Sequence, residues 1–166
     1  ASARMRIGVV SDTHNNLQNV GRIVELFNAA GVDQIVHTGD ITQAKTLTVL
    51  SHLEAPVIGV YGNNDLERPA LEEASAAHGF ALVDPPLVTR IAEREVIVVH
   101  DPLDLRGLTH EDGALLLHGH THRTTTEWQQ GGGLAFNPGE CAGMMQGLNT
   151  IGVVDVATLD IELLKF

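Results

Sequence analysis

The stretch MRIGVVSDTHNNLQNVGRIVELFNAAGVDQIVHTGD, residues 5–40, decides how this chain folds. It begins with a short apolar, β-branched run, the signal of a buried strand. Leu17, Val20, Val24, Phe27 and Ala30 then recur at helical spacing, with Asn16 placed to cap the start and Gly31 to stop it. QIVHTGD (34–40) is strand-like again. A strand, a helix and a strand in so short a span call for a parallel pair joined by a crossover helix.

The pattern continues outward. Ala44, Leu47, Leu50 and Leu53 form a second helical stripe, PVIGVYGNND (56–65) a third strand, and Pro69 and Gly79 bracket a third, alanine-rich helix. The second half is β-rich. LVTRIAEREVIVVH predicts two strands with a turn near Glu93, GALLLHG one strand, and TTTEWQQGGGLAFN a hairpin around three glycines, packed by Trp128 and Phe136. In TIGVVDVATLDIELLKF, Asp160 and Glu162 alternate with Ile161 and Leu163, as on an edge strand. Together these elements predict an α/β fold, two β-sheets face to face with helices outside. No linker or repeat divides the chain, so one domain is expected over residues 1–166.

Composition narrows the function. The chain has 166 residues, 43% of them hydrophobic, and a formal charge of −11. That length supports one sizeable core. No run approaches the ~18–20 apolar residues of a membrane span, and ASARMRIGVV holds no apolar segment of the signal-peptide kind. The one cysteine, Cys141, forms no intramolecular disulfide, which suits the cytoplasm as the expected location. Nucleic acid is bound by releasing counterions to basic surface, and with no basic run no stable nucleic-acid complex is expected. The nine histidines point to metal.

The chemistry sits where strands end. Asp12 and His14 follow the first strand, Asp40 the second, Asn63 the third, His100 the run VIVV, and His120 and His122 the run LLL. Open α/β sheets bind ligands at these carboxyl ends. One aspartate after a strand is ordinary turn chemistry; five strand ends in a row bearing N or O donors are not. Gly39, Gly62 and Gly119 each precede a candidate ligand, where a Cβ would obstruct the neighbouring site. Two carboxylates, one amide oxygen and four imidazoles exceed one tetrahedral zinc site and suit a pair of ions sharing a carboxylate. Mixed N and O donors favour divalent transition metals, Mn first, with Fe, Zn or Ni as alternatives, over Ca or Mg.

SDTHNN, HTGD, YGNND, the strand-ending His100, HGHTHR and NPGE together resemble the calcineurin-like metallophosphoesterases, and within them the small prokaryotic phosphodiesterase branch. The motifs stand in that family's order over residues 11–140. The resemblance implies a four-layer αββα sandwich of two mixed β-sheets, and a dinuclear phosphoesterase. Asp12, His14 and His122 would hold one ion, Asn63, His100 and His120 the other, and Asp40 would bridge them. Asp40, Asn63 and His100 then count as catalytic, as does Asn64, which stands at the proton-donating histidine of many relatives. Asn64 has no proton to give, so substrates with good leaving groups are expected to react best. Glu140 departs from the family's usual Asn-Pro-Gly-Ser.

Two divalent ions against two carboxylates leave a surplus of two positive charges, in a protein without basic clusters. One bridging hydroxide and one phosphodiester monoanion cancel it. The expected reaction is in-line attack by that hydroxide on a small phosphodiester, with the ions roughly 3.5–4 Å apart. A phosphomonoesterase is the second reading, and its dianionic substrate overshoots this balance. A non-catalytic metal-binding scaffold of the same fold is the third. A homo-oligomer is compatible with all three.

Other residues carry plainer readings. His118 is a hydrogen-bonded core histidine, His37 a support for Asp40, and His52, His78 and His110 are solvated. Arg123 is an exposed arginine and Cys141 a buried filler.

Overall fold

A computed structural model of the chain describes residues 5–14, 16–143 and 147–166. Residues 1–4, which open the stretch weighed as a signal peptide, and Asn15 of SDTHNN lie outside the described residues.

The opening unit forms as its pattern demands. β1 (Arg6–Val10) leads to α1 (Leu17–Ala30) and on to β2 (Gln34–His37), which runs parallel to β1 with Ile7 opposite Gln34. The Asn16 side chain accepts the N–H of Asn19 at the head of α1, and Gly31 closes it in the left-handed region at φ 67°. α2 (Ala44–Leu50), β3 (Val57–Val60), α3 (Arg68–His78) and β4 (Ala81–Val83) repeat the scheme. β1, β2, β3 and β4 are parallel neighbours laid down in one direction. Right-handed crossovers therefore put all three helices on one face, where α1 packs on α2 and α2 on α3. β10 (Thr150–Asp155) returns antiparallel beside β1, and β11 (Ile161–Lys165) forms the edge its alternation predicts.

The second sheet takes the order β5 (Leu87–Ile91), β6 (Arg94–Val98), β7 (Leu115–Leu117), β9 (Leu134–Asn137), β8 (Thr125–Trp128). β6, β7 and β9 are parallel, and antiparallel β5 and β8 close the two edges. Period-two alternation sorts side chains between faces. Ile7, Val9, Val36, Val60 and Val154 of the first sheet meet Val96, Val98, Leu115, Leu117, Leu134 and Phe136 of the second in the central core. The alternate positions Val10, Ile35, Val57, Ile151 and Val153 pack on Ile23 and Phe27 of α1.

The outer layers are unequal. Ile97, Leu116 and Ala135, on the far face of the second sheet, pack against Leu105 and Leu108. A 3-10 turn, Pro102–Leu105, opens that short β6–β7 connection, so the fourth layer is one turn and its flank where the first sheet carries three helices. Phe136 belongs to the inter-sheet core rather than to hairpin packing, and Trp128, paired with Leu134 in the hairpin, is 64% exposed. β4 was not apparent in the sequence.

Candidate metal centre

β1, β2, β3, β6 and β7 release their chains at one rim of the sandwich, and the loops that follow are knitted together. The N–H of Asp12 donates to Gly39 O, that of His14 to Asp40 O, and that of His120 to Asp12 Oδ2. The Asn137 amide donates to Gly119 O and to Thr121 Oγ1. Asp12, His14, Asp40, His120 and His122 all adopt positive φ, between 46° and 71°. Such backbone is costly for residues bearing a Cβ, and it persists where surrounding bonds over-determine it. The effect is to turn five side chains back towards one centre.

Two glycines make room for this. A Cβ on Gly119 would collide with Ser11 Oγ and stand 2.7 Å from Thr38 Oγ1, and one on Gly62 would stand 2.6 Å from Asp40 N and 2.9 Å from His100 Cε1. A side chain at Gly62 would displace the candidate ligands Asp40 or His100, and one at Gly119 would displace Ser11 and Thr38 behind them.

Donor atoms of Asp12, His14, Asp40 and His122 lie within 4.8 Å of one another. His122 Nε2 is 3.5 Å from Asp12 Oδ1, and His14 Nε2 is 3.8 Å from Asp40 Oδ2. A second group adjoins the first through the same aspartate. His100 Nε2 stands 3.4 Å from Asp40 Oδ2 and 2.8 Å from Asn63 Oδ1, and His120 Nδ1 is 3.2 Å from both His100 Nε2 and Asn63 Oδ1. His100 Nδ1 donates to Thr38 O at 2.9 Å, which in the neutral ring leaves the Nε2 lone pair facing the group. All seven residues expected from the sequence thus meet in two groups joined at Asp40.

The donor set fits cations. Asp12 is fully buried, and its Oδ2 accepts from Ser11 Oγ and His120 N, yet its Oδ1 has no hydrogen-bond partner. A buried carboxylate oxygen left unpaired is expensive unless a positive charge faces it. Burial raises the Asp12 carboxyl above its ordinary value, with Ser11 and the nearby His100 and His122 working against that. At Asp40 burial also pushes upward, but hydrogen bonds from His100 and from the Asn64 N–H and side-chain amide outweigh it and hold the carboxyl well below the usual range. His100 is raised in turn, because the Asp40 carboxylate overcomes the effect of burial.

Supporting residues differ from expectation in three places. His37 does not touch Asp40; its Nδ1 accepts the Gly39 N–H and its Nε2 pairs with Thr13 Oγ1. Burial pushes its pKa down to about 3, so it is a neutral brace. His118 is buried with no partner for Nδ1 and belongs to neither group. Asp65 was missed as a support: its carboxylate accepts the N–H groups of Asp40, Ile41, Thr42 and Gly62, tying the turn after β2 to the turn after β3. Asn-Asp after a strand reads as ordinary turn chemistry, so nothing in the spacing marked it. Cys141 is fully buried and burial raises its thiol pKa, as a filler requires.

A cleft of about 320 Å³ opens beside the second group, lined by Tyr61, Asn63, Arg68, His100, Asp101 and His120 among others. The segment DPLDLRG supplies its wall through Asp101 and Asp104.

Residues 5–159 match the profile of the calcineurin-like phosphoesterase superfamily domain. The chain is 32% identical over 155 residues to a phosphodiesterase of Methanocaldococcus jannaschii, covering 91% of this chain and 93% of that one. It is 28% identical over 152 residues to phosphodiesterase YfcE of Escherichia coli K12, covering 81% and 78%. The solved structure of an archaeal phosphodiesterase superposes with a TM-score of 0.84 at 30% identity, over 98% of this chain and all of that one.

Proposed function

The chain belongs to the calcineurin-like phosphoesterase superfamily, and on that premise we propose that it is a dinuclear metal-dependent phosphodiesterase acting on a small phosphodiester. It is a hydrolase of phosphoric esters, as its relatives are. We read residues 1–166 as one such domain. Asp12, His14 and His122 with Asp40 would hold one divalent ion; Asn63, His100 and His120 with the same Asp40 would hold the second. Mn suits this donor set first, with Fe, Zn or Ni as alternatives. Divalent ions bound there supply Lewis acidity, lowering the pKa of water towards neutrality and offsetting phosphate charge. A buried, reduced Cys141 is consistent with action in the cytoplasm, and among the described residues no helix is long and apolar enough to cross a membrane.

The observation that carries the reading is the shared Asp40 beside the unpartnered Oδ1 of Asp12. Asp40 would be the residue shared by both ions. Its Oδ1 accepts the Asn64 N–H and its Oδ2 the Asn64 side-chain amide, both at 2.9 Å. Asn64 therefore orients the bridge and donates no proton to a leaving oxygen. General-acid assistance is worth ~10²–10⁴ where a positioned acid exists, and this chain forgoes it at that position. A dianionic monoester would overdraw the positive surplus of two ions held by two carboxylates, with no basic cluster to balance it, so a diester is the favoured substrate.

The test is a substrate series in Mn buffer. Aryl diesters such as bis(4-nitrophenyl) phosphate should turn over much faster than dialkyl diesters and nitrophenyl phosphate. Asn64→His should accelerate the alkyl diesters selectively. Equal wild-type rates on aryl and alkyl diesters would contradict the role given to Asn64, and preference for the monoester would contradict the substrate class.

A further inference from the structure

The loop after β9 ends in Glu140, and this side chain lies beside a candidate ligand. Glu140 Oε2 is 3.0 Å from His122 Nδ1, while His122 Nε2 on the opposite edge of the ring is 3.5 Å from the unpartnered Asp12 Oδ1. The imidazole is thus bracketed by two carboxylates, one within the metal-ligand group and one outside it. The loop that carries Glu140 is anchored on both sides. Thr150 N donates to Glu140 O, Cys141 N donates to Asp12 O, and Gly139 N donates to the Asn137 side chain.

The other two imidazoles with a defined outer partner lack this. His100 turns its second nitrogen to the neutral carbonyl of Thr38. The carboxylate nearest His120 Nε2 is Asp101 Oδ2 at 3.8 Å, beyond a hydrogen bond. An anion at hydrogen-bonding distance therefore distinguishes His122. A carboxylate on the outer nitrogen of a ligating histidine fixes the tautomer and ring orientation, and makes the inner nitrogen a better donor.

We propose that Glu140 is a positioning residue for His122: as hydrogen-bond acceptor for the Nδ1–H it presents the Nε2 lone pair to the Asp12, His14 and Asp40 donors and raises the affinity of that group for a divalent cation. The Asn63, His100 and His120 group gains nothing from it. The inference rests on the metal reading above and makes the two halves of the centre unequal through a residue of this chain's own.

Titration of the metal-stripped full-length protein with Mn²⁺ alone, followed calorimetrically, tests it. The wild type should show two binding steps. Glu140→Ser should weaken one of them by roughly 10- to 100-fold and leave the other unchanged, and Glu140→Gln, which keeps an acceptor without the charge, should recover part of the loss. In a His120→Ala background the Glu140→Ser change should weaken the step that remains. Nitrogen NMR of the His122 ring gives a second readout, a fixed Nδ1–H tautomer in the wild type and a mixture in Glu140→Ser. Unchanged affinities in Glu140→Ser would overturn the proposal, as would an equal loss at both steps, which means loop collapse. A wild type that binds no Mn²⁺ would instead overturn the metal reading on which it stands.

Discussion

Asp65 gathers four backbone N–H groups on one carboxylate, and the turn that aims Asp40 depends on it. Asp65→Asn would set an NH₂ against two of those donors. Hydrogen bonds to a charged group are each worth about 1.5–3 kcal/mol, so the variant should lose roughly 3 kcal/mol in urea unfolding; a loss below about 1 kcal/mol would show the turn to be held otherwise. His37 gives a pH signature. Its folded pKa of about 3 lies below its ordinary 6.5, so in acid the unfolded chain binds a proton there that the folded chain does not, and stability falls as pH drops below 6.5. At pH 5 this amounts to about 2 kcal/mol. His37→Gln should therefore be less stable at pH 7 yet lose less between pH 7 and 5 than the wild type; parallel losses would refute the neutral brace. At this scale the sequence exposed the candidate ligands and concealed their supports. Asp12, His14 and Asp40 announce themselves by residue type after a strand. The left-handed φ of those same residues, the bonds of Asp65 and the contact of Glu140 with His122 arise only once distant loops meet, and no spacing encodes them.

The elements were legible in proportion to their length and periodicity. α1 carries both its caps in the sequence, Asn16 and Gly31, and three of its four buried residues, Val20, Val24 and Phe27, while Ile23 lies outside the expected stripe and Leu17 within it is exposed. Phe27 is 1% exposed and lies so close to Gly8 that a Cβ there would stand 2.8 Å from the ring's Cδ1. Phe27→Ala should thus cost about 3–5 kcal/mol, seen as a lower urea midpoint with an unchanged m-value. A cost under 1 kcal/mol would mean that α1 is not seated on the sheet as described. The short β4 and the 3-10 turn were both hidden in the sequence. β4 is stabilised by its pairing with β3 rather than by any pattern of its own, and the turn is held by Leu105, which packs over Ile97 and Leu116.

For the molecule as a whole, charge and site oppose each other. A chain of net charge −11 gathers Asp12 and Asp40 at the end of its sandwich and surrounds them with histidines rather than Lys or Arg. Such a cluster is costly by itself, and in the proposed reading it would take a phosphate only once cations occupy it. The most direct measurement is the metal content of the full-length protein after reconstitution with Mn²⁺ and removal of excess, compared between the wild type and Asp40→Asn. Two ions per chain in the wild type, and loss of both in Asp40→Asn together with diester hydrolysis, is the predicted result. A wild type holding one ion or none, or an Asp40→Asn variant that retains two, would contradict the shared-aspartate centre.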